Sequence, residues 1–407
     1  MADPAISIQM SAPHGTSTDP YRIFFPLGVV MGIAGVSIWP LYYWGLTSGY
    51  SGRAHAFVQT NCFLYAFIAG FLWTAIPRFT GTQAPGRATQ YFLAAILAAE
   101  LLAFESYRFT AGHLLFLFAH GMLIAQIARC FMRRQHPPPE TFILVGLGLI
   151  AGVAAAVVNV ASALGWISSG WDLLGKRLLT EGMVLLLVLG VGGFLGPRLL
   201  GFAQLPNFQH LERLSERRIV PRVTRWRGRM NALCGVVLLT SVFVEYGWND
   251  PLTDLLVWVR AATVTTVVAL NVQPWRTPAN RTTLAWCVWM AHWFLVVGLW
   301  LIAIFRNHHI DYLHVLFMGG FTLLILAVGT RVVLSHGGHA LAEERRSWPL
   351  RLGIAASLIG MSARLSVIVT PSQSLYFTHL AWAGVLWIAG MGLWGIYLAL
   401  RIRRSTS

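Results

Sequence analysis

Residues 141–164 read Thr141-Phe-Ile-Leu-Val-Gly-Leu-Gly-Leu-Ile-Ala-Gly-Val-Ala-Ala-Ala-Val-Val-Asn159-Val-Ala-Ser-Ala-Leu164. The run carries no charge, and Asn159 is its one amide side chain. As a helix rising 1.5 Å per residue it extends about 36 Å, enough to cross a hydrocarbon layer roughly 30 Å thick. A helix is the natural spanning element, because hydrocarbon offers nothing to satisfy a free backbone amide. Similar runs lie on both sides, at about 22–46, 55–77, 89–107, 112–132, 179–203, 230–247, 253–273, 282–304, 311–335, 350–369 and 376–400. The expectation is an all-α polytopic membrane protein, a bundle of about twelve transmembrane helices.

Composition agrees. Of 407 residues, 56% are hydrophobic and 11% charged, where a soluble domain carries roughly 25% charged residues. The net charge of +15 does not signal nucleic acid, since the basic residues fill short gaps between apolar runs rather than one face of a polar domain. Only Arg53, Arg108, Lys176, Arg177 and Arg306 fall in the odd-numbered gaps, and Arg260 and Arg364 lie within spans. The other basic residues occupy the even gaps and the two ends. By the positive-inside rule both termini and the even gaps are cytoplasmic, which suits a bacterial inner membrane. The expected organisation is a cytoplasmic arm (1–21), one transmembrane domain (22–401) with a cytoplasmic loop at about 204–229, and a tail (402–407). Residues 1–20 show no cleavable signal, and the first apolar run is too long for a signal h-region. Within the loop, Glu212, Arg213, Glu216, Arg217 and Arg218 have helical spacing and suit a surface helix on anionic headgroups.

Cys62, Cys130, Cys234 and Cys287 sit in or beside apolar runs without C-x-x-C spacing, which argues against a disulfide framework or a zinc site. Small residues four apart (Gly28/Gly32, Ala66/Gly70, Gly148/Gly152, Gly192/Gly196) predict close helix approach. No internal repeat is legible.

The thirteen histidines are more informative. His55, His113, His120, His308, His309, His314 and His379 map to the arginine-poor half of the membrane or its edge, and His292 to the middle of span 9. Any one of them, taken singly, reads more readily as an interhelical hydrogen-bonder than as a ligand. The one-sided group points to metal or haem ligation, for which neutral imidazole is the usual ligand. His113 and His120 are seven residues apart, about 10 Å along the axis, so one ion cannot take both. Glu100, Glu105, Asn159, Glu181, Glu245, Arg260 and Asn271 are further polar groups within spans. Glu100 and Glu105 suit a proton path, Glu245 suits pairing with Arg260, and Arg364 suits haem propionates better than the deeper Arg260.

Two ordered strings then carry a resemblance. One runs His55-Ala56-Phe57 to Phe67-Ile-Ala-Gly70-Phe-Leu-Trp73-Thr-Ala-Ile-Pro77-Arg78-Phe-Thr-Gly81. The other runs His314-Val-Leu-Phe-Met-Gly319-Gly320-Phe-Thr322 to Ala327-Val-Gly329-Thr330-Arg331-Val-Val-Leu-Ser335-His336-Gly337-Gly338-His339. With Tyr21-Arg22-Ile-Phe24-Phe25 they resemble the NnrS family of bacterial membrane proteins along the whole chain. The resemblance implies haem and copper and a link to nitric oxide metabolism or nitrosative stress. It departs at Phe57, where the family has a second histidine, and at Val58, where it has an acid. Taken together, His55, His314, His292 and Arg331 are the candidate residues for a b-type haem. His113, His120, His309 and His336 are the candidate ligands of a second metal, and no catalytic residue is assigned. Haem–copper oxidase cores, which take haem ligands from helices two and ten, offer a fold-level analogy to His55 and His314. Here, however, Tyr312 replaces the first histidine of their His-x-His, and Glu181 is the nearest candidate on span 6. The implied partners are the lipid bilayer and nitric oxide or a related gas, with no nucleic acid. A secondary transporter and a membrane assembly protein docking through 204–229 are the alternatives.

Overall fold

A computed structural model describes residues 19–202, 222–247, 251–370 and 372–404. The arm expected over 1–21 lies outside the described residues up to 18, the 204–229 loop up to 221, and the tail from 405. The regular structure described is helical throughout. Among the described residues, twelve helices are long and apolar enough to cross a membrane: α1 (Tyr21–Tyr43), α2 (Gly52–Thr80), α3 (Arg87–Glu105), α4 (Phe109–Met132), α5 (Phe142–Ala163), α6 (Ser169–Leu199), α7 (Trp226–Glu245), α8 (Thr253–Asn271), α9 (Thr283–Ile304), α10 (Arg306–His336), α11 (Leu341–Val369) and α12 (Gln373–Arg404). They match the twelve expected spans in order.

The largest boundary difference is at α6, which starts ten residues before the expected 179. Asp172, Lys176 and Arg177 look like loop residues in the sequence, yet each charge is paired. Asp172 holds Arg53 at 3.0 Å and Lys176 at 2.9 Å, and Arg177 meets Glu245 at 2.8 Å. With partners supplied, a helix carries them at the membrane edge.

Nine helices form a closed ring, in the order α1, α3, α4, α5, α7, α8, α9, α11, α12 and back to α1, each touching the next. The remaining three, α2, α6 and α10, stand inside and are the most buried of the twelve. They share a backbone design. Each carries near its start a six-residue α-helical stretch, Gly52–Phe57, Asp172–Arg177 and His309–His314, preceded in α6 and α10 by a 3-10 turn. A π-helical run follows: Val58–Leu64, Leu178–Val184 and Val315–Thr322. Each then returns to α-helix and is followed by a glycine in the left-handed region, Gly81 (φ 69°), Gly201 (φ 81°) or Gly338 (φ 70°). All three glycines stand at the same distance in sequence from the first π residue. Thr60 and Thr180, at matching positions, each donate a hydroxyl hydrogen bond to the carbonyl four residues back. Pro77-Arg78 and Pro197-Arg198 also match.

The molecule therefore contains a threefold repeat of four helices, with the second of each four inside. This corrects the expectation of no repeat. The shared features are hydrogen-bond ladders and a backbone dihedral, while the side chains along the three helices differ almost everywhere.

Candidate haem-binding site

The π-helical runs of α2, α6 and α10 all lie near the arginine-poor end of the bundle. Such runs are uncommon and concentrate at functional sites. His55 stands three residues before the first of them and His314 immediately before the third.

His55 approaches α1 at Gly35. A Cβ on Gly35 would come within 2.5 Å of Val58 Cγ1, so only glycine permits this contact. The Gly35 carbonyl accepts a 2.7 Å hydrogen bond from His55 Nδ1, and Trp39 lies edge-on to the ring at 5.5 Å. His314 donates its Nδ1–H to the Ile310 carbonyl at 2.8 Å. Because a carbonyl only accepts, Nδ1 carries the proton in both rings. That leaves Nε2 of each with a free lone pair, the arrangement by which ligating histidines are oriented. Both rings are half-buried, and they lie within electrostatic range of each other and of Arg364.

Arg364 belongs to α11 and is almost fully buried. It donates to Asp311 at 2.8 Å, and the other oxygen of Asp311 meets His308 Nδ1 at 3.1 Å. Between α11 and α12, His379 Nδ1 pairs with Ser366 Oγ at 2.7 Å. Sequence reasoning missed Asp311, the residue that fixes Arg364. The three-residue spacing of His308 and Asp311 was its only signal.

The other candidates are placed elsewhere. His292 donates Nδ1–H to Val288 at 2.7 Å, and its Nε2 abuts Gly192 of α6. It stands twelve residues from the end of α9 at Ile304, roughly 18 Å deep. Arg331 pairs with Glu344 at 2.6 Å, seventeen residues beyond His314 and thus about 25 Å away along α10. His336 is further still, with its ring 6.0 Å from that of Tyr21. His120 is occupied on both sides: Nε2 donates to the Leu149 carbonyl at 2.9 Å, and the Tyr65 hydroxyl meets Nδ1 at 3.3 Å. His113 is fully buried among Phe57 and Phe104, and neither ring nitrogen has a hydrogen bond. His309 Nε2 lies 3.5 Å from Glu181. The structure thus does not bring His113, His120, His309 and His336 together. Among the described residues no three His, Cys, Asp or Glu side chains form a group able to hold a metal ion.

A second polar assembly faces the π run of α6. Glu181 and Arg260, both fully buried, pair at 2.9 Å. Arg260 also meets Glu245 at 2.5 Å, as the sequence suggested. Glu245 pairs with Arg177, and Arg306 bridges Glu245 (3.6 Å) to Asp254 (3.0 Å) at the exposed rim. Three arginines thus face three carboxylates.

These features define a multi-pass helical membrane protein in which two of the three central helices, α2 and α10, each present a half-buried imidazole near one end. Residues 17–404 match the family model described as NnrS protein. The chain belongs to the NnrS family. No curated protein matches it.

Proposed function

We propose that this protein binds a b-type haem through Nε2 of His55 and His314 and serves in the response to, or metabolism of, nitric oxide. The single observation behind this reading is the matched pair. Two imidazoles from different inner helices, each held by an Nδ1–H to a backbone carbonyl, leave their lone-pair nitrogens open beside a buried arginine.

The donor set fits a haem. Imidazole is a usual axial ligand, hydrogen bonding at Nδ1 raises its basicity, and the Arg364 guanidinium suits a propionate carboxylate. When bound, a haem would supply a redox-active iron, which nitric oxide could ligate only in place of one of the two imidazoles. The chain's own part is to hold both imidazoles in one tautomer and to oppose propionate charge at Arg364. Nitric oxide, small and uncharged, reaches such a site through lipid. Copper, which the resemblance implies, finds no three-residue donor set among the described residues, and no step is assigned to it. By the charge rule the site lies toward the periplasm of a bacterial inner membrane.

The transporter alternative draws no support from the inner helices. Transporters typically interrupt helices at the midplane, whereas α2, α6 and α10 run through unbroken. An absorbance spectrum of protein produced with ample haem tests the proposal. A Soret band that responds to nitric oxide is expected, and its absence overturns the proposal.

A further inference from the structure

Two cavities open in succession along α4, away from the histidine pair. The first, about 570 Å³, lies at the arginine-poor rim and is walled by Arg53, Tyr107, Arg108, Thr110, Ser162 and Ser169, with Ala111 at its floor. The second, about 500 Å³, is walled by Leu114, Leu117, Phe118, Gly121, Met122 and Ala125. Ala111 and Leu114 stand one helical turn apart, and 111, 114, 118, 121, 122 and 125 follow the three- and four-residue spacing of one helix face. The second cavity is therefore the apolar continuation of the first.

The upper cavity is built for a negative charge. Arg53 and the solvent-exposed Arg108 line it, while Lys176 lies outside the lining and shares Asp172 with Arg53. Arg108 has no ion-pair partner among the described residues. It follows Tyr107, held at φ 58° in the turn between α3 and α4, a conformation that costs a non-glycine residue energy. The first turn of α4 has no side-chain cap, so its free N–H groups add positive potential at the mouth. Tyr107, Trp166 and Trp171 are exposed around it, as aromatic residues are at the headgroup level.

The lower cavity is built for hydrocarbon. It is a shallow apolar depression on one face of α4, lined by that helix alone, with Leu114 and Phe118 exposed. A Cβ at Gly121 would touch nothing within 4 Å. From Leu114 to Ala125 the groove runs about 17 Å, close to one leaflet of a roughly 30 Å hydrocarbon core.

We propose that these two cavities are one binding site for an anionic phospholipid, with the phosphate at Arg53 and Arg108 and an acyl chain along α4. A free phosphate shares the headgroup chemistry, but the groove beneath fits only the lipid. The site is independent of the haem reading.

Titration of detergent-purified protein with phosphatidylglycerol and with phosphatidylcholine of identical acyl chains, read by native mass spectrometry, tests this. Wild type should retain one phosphatidylglycerol at several-fold lower concentration than phosphatidylcholine. Arg108→Gln should weaken phosphatidylglycerol binding by about fivefold and erase most of the preference. Gly121→Leu, which fills the groove, should weaken both lipids, and inorganic phosphate should displace neither. Equal retention of the two lipids by wild type overturns the proposal, as does unchanged binding in both variants. Displacement by inorganic phosphate with Gly121→Leu silent would make this a free-anion site and equally overturn it.

Discussion

At the scale of single residues, Gly35 and Arg364 decide how the imidazole pair is held. Gly35 gives α1 its close approach to α2 and offers His55 its carbonyl. Gly35→Ala places a methyl on Val58, and overpacking of this kind costs about 1–3 kcal/mol. It should lower the thermal midpoint in detergent and loosen cofactor retention together. Arg364 acts through charge. Removing a cation beside an iron centre favours the more positive, oxidised form, so Arg364→Gln should lower the reduction potential of bound haem. Spectroelectrochemistry reads that shift, and an unchanged potential would remove Arg364 from the site. Histidine depth was legible in the sequence, because apolar runs locate each residue along its span. Pairing was not. Whether His120 faces a metal or the Leu149 carbonyl depends on rotation about the helix axis, and an all-round apolar helix gives no such signal.

At the scale of elements, the π-helical runs place the site. A run with five-residue hydrogen-bond spacing holds one residue more than an α-helix of the same length, which turns whatever precedes it. Deleting Gln59 from the run Val58–Leu64 should reset the ladder and rotate His55 about 100° around α2. The variant should keep its membrane fold yet lose the Soret band, while the same deletion in the outer helix α5 should leave the band in place. The buried pair of Glu181 and Arg260 ties α6 to α8. Glu181→Ala leaves the buried Arg260 with Glu245 alone, which it shares with Arg177 and Arg306, so it should destabilise the protein by at most about 3–5 kcal/mol. The double change Glu181→Leu with Arg260→Met should recover much of that loss. Thermal unfolding of the two variants distinguishes a paired charge from an incidental contact. The start of α6 was misread in the sequence for a related reason. Asp172, Lys176 and Arg177 look too polar for a span until Arg53 and Glu245 are seen to neutralise them.

At the scale of the whole molecule, nine helices wrap three, and those three carry the repeated design. The number and order of spans were readable because each apolar run is long enough to cross the bilayer and each gap is short. The ring and its centre were not readable. α5 is as apolar as α6, and only packing separates an outer helix from an inner one. The repeat was hidden because it lives in Gly81, Gly201 and Gly338 and in three π runs, with Asn61 and Glu181 standing at equivalent places in unlike chemistry. With an even number of spans both termini are expected on one side, and the positive-inside rule predicts that this side is the cytoplasm. A fluorescent protein fused after Ser407 should therefore fluoresce, and alkaline phosphatase fused there should be inactive. The reverse pattern would invert the topology.

The convergence of α2 and α10 on one cofactor is tested most directly by haem content and absorbance of His55→Ala, His314→Ala and His292→Ala, purified side by side. Loss or altered ligation of haem in the first two, with His292→Ala like wild type, is the result expected. Haem bound undiminished and spectrally unchanged in both His55→Ala and His314→Ala would contradict it.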